Sequence, residues 1–163
     1  MVTAKRILIA VCLAAAAFLA VRAVLTSPED RIRGKLQALA ETGSKKPGQK
    51  GTTLLVKTEK MRGLFADECR VVVPQYSIDR VLTPSEIAQR TAQLHQSFET
   101  ISVSFHDVNI EIKGPERATV HCTVRASASR DTRKTETIEI LCKLVKEEDD
   151  WVFSHVEQVL VLE

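Results

Sequence analysis

The sequence predicts an α+β domain, with about three helices toward the N-terminus followed by a curved antiparallel sheet. Three observations carry this expectation. From Thr100 to Leu162 apolar and polar residues alternate through four successive segments, the period of strands with one dry face. Three segments with apolar residues at helical spacing precede them, and two of these open on strong start signals. Finally, a basic pair and an uncharged apolar run, Ile7 to Val21, set a targeting segment (residues 1–25) apart from a single domain over residues 26–163.

Lys5 and Arg6 precede the apolar run, and Val21-Arg22-Ala23 has the small-x-small pattern that a signal peptidase accepts. Residues 7–25 are also close to the ~20 residues needed to span a bilayer if Arg22 snorkels to the interface. The segment is therefore expected to be a signal peptide or a membrane anchor. A retained anchor is preferred, with the domain outside the cytoplasm; cleavage to a secreted or periplasmic form is the alternative. Cys12 reads as a small residue within the run rather than a lipidation site, because Val11 before it is bulky. Lys and Arg number 23 against 21 Asp and Glu, and three of the basic residues fall within the first 25. The remainder is nearly neutral and lacks a basic stripe, which argues against nucleic acid as a partner.

Ser27 followed by Pro28, Glu29 and Asp30 places an N-cap, a first-turn proline and acids at the positive end of a helix. Ile32, Leu36 and Leu39 share one face, and Gly43 with the Lys45 to Gly51 stretch closes the helix in a loop. A second helix is predicted over Thr53 to Asp67, with Leu54, Met61, Leu64 and Phe65 apolar. Thr83-Pro84-Ser85-Glu86 has capping-box spacing, and Ile87, Thr91, Leu94 and Phe98 form the stripe of a third helix. That stripe leaves His95 pointing toward solvent.

Between the second and third helices, Cys69 to Val73 reads as a short strand stopped by Pro74, and Gln75 to Leu82 adds extended chain. In the first long strand Ile101, Val103 and Phe105 share one parity, whereas Val108, Ile110 and Ile112 take the other. A β-bulge near His106-Asp107 accounts for that flip. Gly114-Pro115 turns the chain into Arg117 to Ser127, with Ala118, Val120, Cys122 and Val124 dry and His121 wet. Thr135 to Lys146 follows, with Ile138, Ile140, Cys142 and Leu144 dry. After an acidic turn at Glu147 to Asp150, the segment Trp151 to Leu162 is apolar on both parities, which predicts contacts on both sides.

This order of elements resembles the nuclear transport factor 2-like superfamily, which includes SnoaL-like and ketosteroid-isomerase-like domains. The resemblance covers Ser27 to Glu163. It rests on the N-terminal helix pair, the segment Leu64-Phe65-Ala66-Asp67-Glu68-Cys69-Arg70-Val71-Val72-Val73, the capped third helix, and the acidic turn followed by Trp151-Val152-Phe153-Ser154-His155. It implies a cone-shaped sheet wrapped on the helices, a pocket in its mouth, and dimerisation through the convex face. The Lys45 to Gly51 loop is longer than the compact family pattern.

Enzymes of this superfamily use a pocket Asp or His as base, with Tyr or an acid facing the developing oxyanion. The candidates here are Tyr76, Asp79, His95, His106, Asp107, His121 and His155; His95 points off its helix stripe, His121 takes the wet parity and His106 sits at a structural bulge, which leaves Tyr76, Asp79, Asp107 and His155. Tyr76 and Asp79 border the pocket mouth by resemblance, and Asp107 adjoins His106 at the bulge. No catalytic residue is assigned, because the dry face contains mainly Val, Ile, Leu, Ala and Cys. An even loop at the acidic turn sets Lys146 opposite Trp151 and Cys142 opposite His155, and a symmetric turn before Thr135 sets Cys122 beside Cys142. In an oxidising compartment Cys122 and Cys142 are the candidate disulfide, with Cys69 left over; paired small core residues are the competing reading. No close ligand pair occurs, so neither a metal nor a cofactor is expected. The function expected is that of a membrane-tethered, non-enzymatic domain binding a small apolar ligand or an envelope protein partner, with homodimerisation a further expectation. The alternative is a lyase or isomerase of ketosteroid-isomerase type, with Asp79, Asp107 or His155 moving the proton and Tyr76 facing the oxyanion.

Overall fold

A computed structural model describes residues 27–130 and 132–160. The elements run α1 (Pro28–Gly43), α2 (Thr52–Arg62), β1 (Phe65–Val73), a 3-10 turn (Pro74–Tyr76), β2 (Ile78–Leu82), α3 (Pro84–Ser97), β3 (Thr100–Ile112), β4 (Arg117–Ser129), β5 (Arg133–Glu147) and β6 (Asp150–Val159). The six strands form one curved sheet in the order β2-β1-β6-β5-β4-β3. Among the described residues no helix is long and apolar enough to cross a membrane. The targeting segment expected at residues 1–25 lies outside the described residues, as do the last residues of the segment expected to end at Leu162.

The start signals act as their chemistry requires. Ser27 accepts a hydrogen bond from the Asp30 backbone N–H at 3.1 Å, and Thr83 and Glu86 close a reciprocal capping box on α3. α2 ends earlier than expected, at Arg62. Gly63 stops it, and the chain from Phe65 is already extended, because Phe65 stacks in a tilted contact on Phe153 with ring centroids 5.7 Å apart.

The core lies between α1 and the sheet. Ile32 and Leu36 of α1 pack with Val120, Cys122 and Val124 of β4, Ile140, Cys142 and Leu144 of β5, and Trp151 and Phe153 of β6. Ile32, Leu144 and Phe153 are almost completely buried. Each contributes about 1.5–3 kcal/mol of apolar burial. The β3–β4 register shifts between His106 and Asn109, and Asp107 has φ 51°, so the bulge falls where the parity flip placed it. Glu148 and Asp149 both have positive φ between the paired Glu147 and Asp150, a two-residue hairpin turn with the even loop expected. Arg31 donates to the Asp149 carbonyl at 2.5 Å and Lys35 pairs with Asp150, tying α1 to that turn.

Three expectations are corrected. The sheet is not wholly antiparallel, because β1 runs parallel to β6; 76 residues separate Val73 from Asp150, ample for a crossover, and β6 is thereby interior, as its two-sided apolarity requires. A second bulge, at Ser154, shifts the β5–β6 register after Lys146↔Trp151 and sets His155 opposite Lys143 and Cys142 opposite Val156. On the other side of β5, Cys142 faces Val120 and Cys122 faces Ile140, so the two thiols sit diagonally. Cys69, Cys122 and Cys142 are all buried free thiols in this structure.

Candidate functional site

The sequence candidates do not meet in a pocket. Asp79 and His155 fall on the solvent side of the sheet, where Arg70 forms a forked ion pair with Asp79 at 2.8 and 2.6 Å and His155 Nε2 contacts Glu157 at 3.0 Å. The Arg70 hydrogen bonds hold the Asp79 carboxyl below its ordinary range, and His155 adds slightly to that field. Such a group stays ionised and has its lone pairs occupied, which suits a strand-pinning ion pair better than proton transfer. Tyr76 is 62% exposed on the 3-10 turn, and Asp107 is exposed at the bulge. Beside that bulge Ser104 Oγ meets His106 Nε2 at 2.9 Å in a shallow polar groove that Arg125 and Ser102 also line. His121 is exposed, as its parity predicts.

His95 is the residue that sequence reasoning misplaced. It is 1% exposed, whereas Leu94, assigned to the buried stripe, is 52% exposed. α3 buries Ala88 and His95, with Ala92 half-buried between them at spacings of four and three residues, while Ile87 of the expected stripe packs partly buried against the core. Two small residues at such spacing let α2 approach closely, and a histidine continuing their line is the signal that could have revealed it.

The local geometry around His95 is tightly built. Its Nε2 contacts the Gly43 carbonyl at 3.1 Å, and because a carbonyl only accepts, this nitrogen carries the proton. Nδ1 then presents a lone pair. Two buried side-chain atoms have no hydrogen-bond partner among the described residues, His95 Nδ1 and Gln158 Oε1. An unsatisfied buried acceptor costs about 1–3 kcal/mol. Burial pushes the imidazole pKa below its ordinary 6.5; the Gly43 hydrogen bond opposes this, and the Lys57 and Lys45 charges reinforce it. His95 is thus held neutral.

A cavity of about 480 Å³ opens beside this ring, lined by Lys45, Gln49, Lys50 and Gly51 of the loop, Leu54, Leu55 and Thr58 of α2, and Ala92, His95 and Gln96 of α3. The loop is fixed in place by its lysines. Lys45 bridges to Ile101 through its backbone and donates its ammonium to the His95 and Phe98 carbonyls at 2.5 and 2.7 Å. Lys57 donates to the Ser44 carbonyl at 2.6 Å and to Gln49 Oε1 at 3.1 Å. The size falls within the usual range of ligand pockets. A smaller cleft of about 330 Å³ lies between α1 and β3, walled by Leu36, Ala40, Val103, Phe105 and Val108. Among the described residues no group of His, Cys, Asp and Glu is arranged to hold a metal ion.

A curved sheet closed by helices on one face is the cystatin-like class of α+β architecture, and solved structures of that class superpose on this chain. The Kfla4162 protein of Kribbella flavida matches with a TM-score of 0.67 at 16% identity, over 80% of this chain and 88% of that one. A nuclear transport factor 2-like protein with a cystatin-like fold from Novosphingobium aromaticivorans matches at 0.64 and 16% identity, over 88% of both chains. A candidate scytalone dehydratase from the same species matches at 0.61 and 15% identity, over 90% of this chain and 87% of that one. No protein-family model and no curated protein matches the chain. The fold is that of the nuclear transport factor 2-like superfamily, as the helix order and the Trp151 hairpin suggested.

Proposed function

We propose that this chain is a non-enzymatic binding domain, tethered outside the cytoplasm through residues 7–25, that takes a small molecule with an apolar body in the cavity beside His95. One observation carries the reading: a cavity of about 480 Å³ has Leu54, Leu55 and Ala92 for its apolar wall and the largely buried His95 beside it, and no carboxylate lines it. Proton abstraction needs an ionisable group paired with a second polar group at the reacting atom. Tyr76, Asp79, Asp107 and His155 lie away from this cavity, and its other polar groups, Lys45 among them, are committed to backbone carbonyls or sit at the rim. The exposed Leu55 and Val56 of α2 and Leu94 of α3 offer an apolar margin for an envelope protein partner or a second copy of the chain.

Native mass spectrometry of the detergent-extracted full chain tests this. The expected result is a copurifying small molecule that is lost in Ala92→Leu, which fills the cavity wall. A ligand-free wild-type mass together with an unchanged spectrum for the variant would refute it. The lyase or isomerase reading is favoured only by the candidate dehydratases among the fold neighbours.

A further inference from the structure

We infer that the outer face of the sheet holds a second site, a groove across β3, β4 and β5 that takes a phosphate ester of a sugar or similar polyol. This site is separate from the His95 cavity and does not depend on it. Val124 belongs to the core on the helix side, so Arg125 beside it points to the opposite face. There Ser102, Ser127 and Thr135 form one register row across the three strands, and Ser104, Arg125 and Thr137 form the next. The Arg125 guanidinium has no hydrogen-bond or ion-pair partner among the described residues. Its fork of donors is therefore open.

Two adjoining recesses share this arginine. The first, of about 480 Å³, is lined by Ser102, Ser104, His106, Ser127 and Thr135 besides Arg125, and no carboxylate enters its wall. It suits an anion. Hydroxyls flank the guanidinium from β3 and β5 as well as from β4 itself, which offers donors to several oxygens of a tetrahedral phosphate, whereas a planar carboxylate uses the fork alone. Ser104 Oγ lies 2.9 Å from His106 Nε2 and 3.4 Å from the Arg125 carbonyl, which fixes the β3 wall. The second recess, of about 400 Å³, adds Asp107, Thr123 and Thr137 to His106, Arg125 and Thr135. A carboxylate repels a phosphate but accepts from hydroxyls, so Asp107, set there by the bulge, marks the end that takes the neutral polyol. A bare phosphate would leave this recess unused. No aliphatic side chain and no Phe, Tyr or Trp lines either recess, so neither an apolar ligand nor a stacked nucleobase finds a platform.

The test titrates the detergent-extracted full chain with glucose 6-phosphate, glucose and inorganic phosphate, following amide NMR shifts. The expected result is that glucose 6-phosphate moves amides within residues 102–107, 123–127 and 135–137 and binds about tenfold tighter or more than either of the other two, since each half adds its hydrogen bonds. Arg125→Gln should weaken both phosphate-bearing probes about tenfold, the loss of a charge-assisted pair. Asp107→Gly, which suits the φ of 51° there, should bring glucose 6-phosphate to the affinity of inorganic phosphate without weakening the latter. Both side chains are exposed, so both variants keep the fold. Dihexanoyl phosphatidylglycerol distinguishes the source of the ester: tighter binding than glucose 6-phosphate identifies a lipid headgroup, weaker binding a free sugar phosphate. Equal affinities for glucose 6-phosphate and inorganic phosphate, shifts confined to other residues, or an Arg125→Gln variant that binds as wild type would overturn the inference. None of these outcomes bears on the His95 cavity.

Discussion

Acidification should weaken this protein earlier than its carboxylates alone allow, and His95 is the reason. In the unfolded chain its imidazole titrates near 6.5, while in the native state desolvation, with Lys57 and Lys45, depresses that value. As pH falls through 6.5 the unfolded chain takes up a proton that the native chain still refuses. Stability therefore rises with pH across this window, and the stabilisation is lost on the way down toward the native value. One proton gives a slope of at most about 1.4 kcal/mol per pH unit. For a domain of this size that corresponds to a Tm change of roughly 3–6 °C per pH unit. The assay is urea denaturation at half-unit steps from pH 7.5 to 5.5, on wild type and His95→Gln, whose amide can still donate to Gly43. Asp79, Glu86 and Asp149 are all held below their ordinary carboxylate values, so their contribution is lost only at lower pH. Parallel curves for the two proteins between pH 6.5 and 5.5 would refute the argument.

Phe153→Ala, which empties a completely buried ring site against Phe65, should cost about 3–5 kcal/mol by denaturant midpoint. Thr83→Ala removes the α3 cap and should cost about 1 kcal/mol; a Thr83→Ser control should recover most of it. Asp79→Asn should leave fold and ligand affinity unchanged, since its partner Arg70 lies on the solvent side, and a tenfold loss of binding would place Asp79 in the site after all. Burial raises the thiols of Cys69 and Cys122 to about 11 and pushes Cys142 up further, so iodoacetamide at pH 8 should label these three only after unfolding. Labelling of the native protein within minutes would contradict the packing described.

Parity was a good guide wherever one strand face is wet. The flip between Phe105 and Val108 located the first bulge to within a residue because a polar face made the change visible. β6 is apolar on both parities, so the extra residue at Ser154 left no trace in the pattern, and His155 was assigned to the wrong neighbour. The parallel contact between β1 and β6 joins segments 76 residues apart, and no local pattern encodes such a partner. α3 offered two stripes. Leu94 outweighed Ala92 in hydrophobicity, but contact with α2 depends on how closely the backbones approach, which small residues decide. The helix faces its neighbour with Ala88, Ala92 and His95, and the cavity followed the same choice out of view.

The placement of β6 between β1 and β5 has a consequence for biogenesis. Until β6 has left the ribosome, the β1–β2 hairpin and the β3–β5 meander are separate pieces, each with an open edge where β6 belongs. Joining the two pieces requires β6 to insert between them, which buries Trp151 and Phe153. A nascent chain stalled short of Asp150 would thus present both edges to pairing with other chains.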